Sequence, residues 1–185
     1  FSDALLLKTD SLGNYQWHKA YGDPILAEHG SNTIETPDGG YLIGGQRWYP
    51  PVYQTNDAIV IKIDSSGNEE WIKQFGNPDV DDNKAMVEMA DDGNYMVATV
   101  YGVEIVTNMH REGQIWIFKL NAIGEIIDDR KYGPSTIENT LTNIRKLKNG
   151  EYVLSGFKFN YTDNLFKGWM FKYSENLDSL WMRDY

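Results

Sequence analysis

The sequence contains no cysteine. That excludes disulfides, thiolate zinc sites and cysteine nucleophiles, but it does not assign a compartment, since secreted proteins also do without disulfides. No run of 18 apolar residues occurs, so no segment reads as a membrane-spanning helix. Basic residues are outnumbered, 17 Lys and Arg against 27 Asp and Glu, for a formal charge of −10. A nucleic-acid backbone binder needs the opposite balance, and an anionic membrane surface is disfavoured for the same reason. Only three histidines are present, His18, His29 and His110. None has a metal-ligand spacing such as His-x-x-x-His. There is no Gly-x-Ser-x-Gly elbow and no phosphate loop, and no segment carries a sustained 3.6-residue apolar period with caps. The sequence therefore predicts almost no helix and singles out no catalytic residue and no cofactor. Carboxylate pairs are plentiful, but nothing in the spacing marks one out for glycoside hydrolysis.

What is present is repetition. NDAIVIKIDSSGNEEWIKQFG at 56–76 has a counterpart in SDALLLKTDSLGNYQWHKAYG at 2–22. It returns as GQIWIFKLNAIGEIIDDRKYG at 113–133 and as FKGWMFKYSENLDSLWMRDY at 166–185. The lysine closing the apolar run falls at Lys8, Lys62, Lys119 and Lys172, spaced 54, 57 and 53 residues apart. Trp17, Trp71 and Trp181 keep the same register, with Asp128 in the third copy, as do Tyr21, Phe75, Tyr132 and Tyr185. A third marker, Tyr41, Tyr95 and Tyr152, follows the turns PDGG, DDGN and KNGE. A period near 55 residues belongs with propeller blades rather than the shorter helical arrays.

Each period holds four strand candidates. A weak strand (31–36, 85–90, 142–147) is followed by a tight turn whose Asp or Asn before Gly permits positive φ. The second strand reads YLIGG, YMVAT or YVLSG. Its fourth position is always small (Gly44, Ala98, Ser155), which predicts close approach of a neighbour. The third strand is LLLK, IVIK, WIFK or WMFK, bulky on both faces and so suited to burial between stacked sheets. A second glycine turn and a tryptophan strand complete the unit. The fold expected is all-β, a β-propeller of four-stranded antiparallel blades of about 55 residues, with about 3.5 blades present. The divisions are 1–30 (half a blade), 31–84, 85–141 and 142–185. Two packed sheets are the structural alternative. A chain that opens and closes within a repeat reads as a piece of something longer, or as a mature chain trimmed at both ends. Either more blades complete a larger ring, or two further strands would close a four-bladed one.

The pattern carried by Asp38-Gly39-Gly40-Tyr41-Leu42, 57–64, Gly67-Asn68, Trp71, Lys73 and Phe75-Gly76 resembles a propeller-type repeat of large surface and secreted proteins of Bacteroidota. Those proteins often end in a type IX secretion sorting domain. The third copy departs at Asp128 and Asn121, and the fourth lacks the turn glycine. A more distant likeness, through Gly44-Gly45 followed by Trp48 and Tyr49, is to kelch blades. The resemblance implies a secreted or cell-surface setting and carries no catalytic residues, because the shared positions are packing and turn positions. It also implies the rest of the same polypeptide, or secretion machinery, as partners.

Both glycine turns lie at one end of the strands. The other connections, 46–56, 100–114 and 157–167 within repeats and 22–30, 76–83 and 133–139 between them, lie at the opposite end and read as long loops. Such a face is where binding usually resides. It carries Trp48, Tyr49, Tyr53, Tyr101, Phe159 and Tyr161, together with the polar pair His110-Arg111. Aromatic loops stack on sugars or anchor a protein partner, or else fold back as caps over the strand ends. The expected partner at this face is a protein or a glycan. The loop NPDVDDN at 77–83 offers Asp79, Asp81 and Asp82 as a weak Ca²⁺ set, without the glycine and closing glutamate of an EF-hand. A solvated loop is the better reading, since the alternation is short and the other copies do not repeat it.

Overall fold

The computed structural model describes residues 2–49, 56–76, 84–106, 110–134, 137–160 and 165–185, with the backbone alone for 103–106, 110–112 and 160. Among the described residues there is no helix; fourteen strands form four antiparallel sheets. The first sheet has two strands, β1 (Ala4–Thr9) and β2 (Tyr15–Tyr21). The second is β3 (Ala27–Glu35), β4 (Tyr41–Trp48), β5 (Asn56–Ile63) and β6 (Glu69–Phe75). The third is β7 (Met86–Met89), β8 (Tyr95–Val106), β9 (His110–Leu120) and β10 (Ile126–Tyr132). The fourth is β11 (Glu138–Lys146), β12 (Tyr152–Asn160), β13 (Leu165–Tyr173) and β14 (Ser179–Asp184). Each sheet is a simple meander, so the glycine turns share one end and the remaining connections the other.

Several expected loops are shorter than the sequence suggests. β8 and β9 extend as a hairpin through most of 100–114, and β12 and β13 through most of 157–167. The β-branched Val100, Val103 and Ile105 favour extended backbone, and the ladder between the two strands, after a register shift between Tyr101 and Glu104, continues to the pair Val106 and His110. β3 and β11 likewise begin inside the segments read as connections.

The repeat register is visible in the backbone. Lys8, Lys62, Lys119 and Lys172 each stand opposite the tryptophan position of the next strand. The ladder then skips one residue of that strand, at Gln16, Glu70, Ile127 and Leu180. This is a bulge of two residues against one. The turn glycines Gly13, Gly67 and Gly124 have φ between 78° and 84°. The fourth copy puts Leu177 there with φ 65°, the one non-glycine in that region among the described residues. A left-handed leucine costs about 1–2 kcal/mol. Leu177 is fully buried, and burial of its side chain contributes roughly 1.5–3 kcal/mol in the other direction.

Three apolar clusters lie between successive sheets. Ala4 and Tyr21 meet Ile43, Ile59, Ile61 and Ile63. Ala58, Val60 and Phe75 meet Trp116, Phe118 and Leu120. Ile115 and Ile117 meet Trp169, Phe171 and Tyr173. Of the small residues expected to admit a neighbour, Gly44 does so: a Cβ there would come within 2.7 Å of the Ala85 carbonyl oxygen, and the Ala85 amide donates to Gly45 O at 2.8 Å.

A second set of contacts links each outer strand to the outer hairpin of the following sheet. Tyr21 donates to the carbonyl of Gly67 at 2.9 Å, and Lys19 reaches Ser66 O and Asn68 Oδ1. Trp71 Nε1 donates to the carbonyl of Ala122 at 3.1 Å. Tyr132 donates to the carbonyl of Leu177. In that third copy Asp128 stands where the tryptophan would, and pairs with Arg130.

Candidate functional site

Two of the four repeat lysines, Lys62 and Lys119, are buried inside the stack. Lys62 is buried, with Nζ 2.8 Å from both Asp38 and Glu70. Burial pushes its ammonium down, but the two carboxylates outweigh that and leave it above its ordinary value. Lys62 and Thr36 hold the Asp38 carboxyl down to about 2. Lys119 repeats the arrangement with Asp92 at 3.2 Å and Glu175, of the next sheet, at 2.7 Å. Lys172 pairs with Glu151. The acids of the PDGG, DDGN and KNGE turns thus partner the repeat lysines, a pairing that turn chemistry alone does not reveal. Glu175 also accepts from Tyr152, whose phenol is pushed far above its ordinary range by burial and then by that carboxylate.

At the opposite end, Trp48 closes β4 and Tyr49 follows it; both are half-buried. Tyr49 donates to Asp57 Oδ2 at 2.8 Å, and Gln74 Nε2 donates to the same oxygen at 2.5 Å. Burial, then Asp57, pushes the Tyr49 phenol up to about 12. Beside them Arg47 Nε lies 2.7 Å from Glu28 Oε1, a fully buried carboxylate that also accepts from the Asp23 amide. Its Oε2 has no hydrogen-bond partner among the described residues. A polar cluster therefore joins the ends of β3, β4, β5 and β6.

Tyr101 sits on β8 and is half-buried. It packs edge-on against Trp116, with ring centroids 5.2 Å apart, and carries Lys131 Nζ 3.3 Å above its ring. Trp116 Nε1 donates to Asp129 at 2.9 Å. Phe159 belongs to β12 rather than to a loop, and lies against Phe166. His110 and Arg111 begin β9, and their side chains fall outside the described residues. Tyr53, Tyr161 and the acids Asp79, Asp81 and Asp82 also lie outside them. The structure thus places Trp48 and Tyr49 together on the second sheet and Tyr101 on the third.

The Asp57 oxygen that faces Tyr49 also accepts from Gln74, which disfavours it as a general base. Ser2 Oγ and His29 Nε2 are 2.8 Å apart but exposed. No carboxylate among the described residues bonds the other His29 nitrogen. His18 bonds Tyr15. Among the described residues no three His, Asp or Glu side chains are grouped to hold a metal. Sequence reasoning missed Glu28, Arg47, Asp57 and Gln74. The available signal was Asp57 itself, an acid next to the start of a strand whose centre, Ala58 to Ile61, is apolar on both faces. No protein-family model and no curated protein matches the chain.

Proposed function

We propose that this chain is a non-catalytic β-propeller repeat region, serving as a scaffold, adhesin or protein-binding module within a larger secreted or cell-surface protein. The observation that carries this reading is the use made of the recurring residues. Lys119, Trp71, Tyr21 and Tyr132 join one sheet to the next, and Lys62 ties together the two hairpin turns of its own sheet. The repeated half of the sequence is thereby committed to architecture, leaving the non-repeating connection end for recognition. Successive four-stranded meanders with a fixed sheet-to-sheet contact favour propeller geometry over two packed sheets. The extracellular setting rests on the repeat's resemblance to surface proteins of Bacteroidota.

At the connection end, the internal partners of Tyr49 and Tyr101 favour rigid caps that present a fixed surface over open sugar-stacking platforms. The test is a glycan array and a glycoside-hydrolase panel run on the intact chain and on Trp48→Ala. The expected result is neither retention nor turnover by either protein. Glycan retention by the parent that Trp48→Ala abolishes, or any turnover, would replace this reading with a carbohydrate-binding or carbohydrate-active one.

A further inference from the structure

The repeat builds a similar polar junction between the first and second sheets and between the third and fourth, and fills it with different chemistry. Two repeats beyond Asp3, Gly22 and Glu28 stand Gln114, Gly133 and Asn139. At the later junction the polar side chains are amides, and they find their partners within the protein. Gln114 Nε2 donates to the carbonyl of Gly133 at 2.8 Å. Asn139 Nδ2 donates to the carbonyls of Gly113 and Ile137 at 2.9 Å and 3.3 Å.

At the earlier junction both side chains are acids, and ionised acids bring acceptors only. The Glu28 side chain is fully buried. Its Oε1 accepts from Arg47 Nε at 2.7 Å and from the Asp23 amide at 3.3 Å. Its Oε2 is also buried and has no hydrogen-bond partner among the described residues. That oxygen lies against Gly22: a Cβ built there would collide with Glu28 Oε2 and come within 3.2 Å of Asp3 Oδ1. The two carboxylates therefore converge on one backbone position. The Ser2 carbonyl is close by, accepting from the Glu28 amide at 2.8 Å. Two like charges brought together, one of them shut away from water, are unfavourable without a positive charge to balance them. Arg47 answers one oxygen of Glu28 and leaves the other.

We propose that Glu28 Oε2 and Asp3 Oδ1 bind a calcium ion at the junction of the first and second sheets. The converging donors are hard oxygens, which suit Ca²⁺ or Mg²⁺ rather than a transition metal. Ca²⁺ accepts irregular geometry and combines carboxylates with backbone carbonyls and water, whereas Mg²⁺ demands a near-ideal octahedron. Two carboxylates beside an arginine make a weak site, in the range of about 10⁻⁴–10⁻³ M known for extracellular modules. Asp3 precedes β1 and Glu28 lies on β3, so the ion ties the first sheet to the second, as Asn139 ties the fourth to the third.

The test is calorimetric titration of Ca²⁺ into the intact, chelator-treated chain, with thermal melts in the same solutions. At about 10 mM Ca²⁺, a Kd of about 1 mM raises the melting temperature by about 3–6 °C. Mg²⁺ at the same concentration is expected to give a clearly smaller shift. Asp3→Asn and Glu28→Gln are each expected to weaken binding by about tenfold or more and to remove the shift, since ligand charge sets the affinity. Asp10→Asn removes one charge from the turn of the first sheet instead, and is expected to bind as the parent does. Asp3 is exposed, so Asp3→Asn carries the test if Glu28→Gln does not fold. A parent that binds no Ca²⁺ up to that concentration, Asp3→Asn binding as tightly as the parent, Asp10→Asn losing as much as Asp3→Asn, or Mg²⁺ matching Ca²⁺ would each overturn the proposal.

Discussion

β5 and β1 are written in the same register and end in different environments. All eight residues of β5 are buried, three of them isoleucines against the first sheet and Ala58, Val60 and Lys62 against the third. β1 carries LLLK where β5 carries IVIK, yet Leu5 and Leu7 face outward while Ala4 is covered. The difference lies in neighbours rather than in the strands. A strand bulky on both faces specifies two contacts, and its place in the stack decides how many are made. The cation tells the same story. Lys62 is enclosed by Asp38 and Glu70, whereas Lys8 lies half-exposed over the rings of Trp17 and Tyr41.

The largest expected effect breaks this contrast at one register position. Ile61→Ala should cost about 2–5 kcal/mol, the range for emptying a close-packed core site. Leu7→Ala should stay within about 0.5 kcal/mol, as for most exposed positions. Urea denaturation midpoints at low protein concentration read both. Next comes the hairpin glycine. Gly13→Ala and Gly67→Ala both place a side chain at positive φ, costing about 1–2 kcal/mol. Gly67→Ala also presses on Trp17 and Tyr21, so its midpoint should fall further than that of Gly13→Ala.

A smaller contrast is expected for the phenol contact. Tyr21→Phe should lose about 0.5–1.5 kcal/mol with its bond to Gly67 O. Tyr185→Phe should lose nothing measurable, since its ring is exposed.

The smallest effect is the acid dependence of the buried lysine's partner. Asp38 is held at about 2 in the folded chain, below its ordinary 3.8, first by Lys62 and then by Thr36. A depressed carboxyl stabilises the fold above its unfolded value and loses that contribution as pH falls from about 4 towards about 2. The Asp38 side chain is 56% exposed, so solvent screens much of the gain. Midpoints measured across that window should fall less steeply in Asp38→Asn than in the parent.

Much of the fold was legible because packing and turn positions recur. The lysine, tryptophan and final aromatic kept one spacing, and the structure turns that spacing into one bulge register and one sheet-to-sheet contact. The small residue at Gly44 was read as room for a neighbour, and the backbone at Ala85 fills it. The lengths of β8 and β12 were not legible, because polar residues in 100–114 and 157–167 suggest loops while the ladder pairs them regardless of side chain. Nor was the partner choice of the turn acids: Asp38 reads as turn chemistry until β4 and β5 bring it to Lys62. The Tyr49, Asp57 and Gln74 cluster draws on three strands whose ends no spacing places together.

Native-state hydrogen exchange at low protein concentration tests the central claim, that place in the stack rather than strand sequence sets local stability. The amides of β5 and β9 are expected to be the slowest, opening only with global unfolding, while those of β1, β2 and β14 exchange through local opening. Protection of β1 equal to that of β5, matching their shared register, would contradict the account.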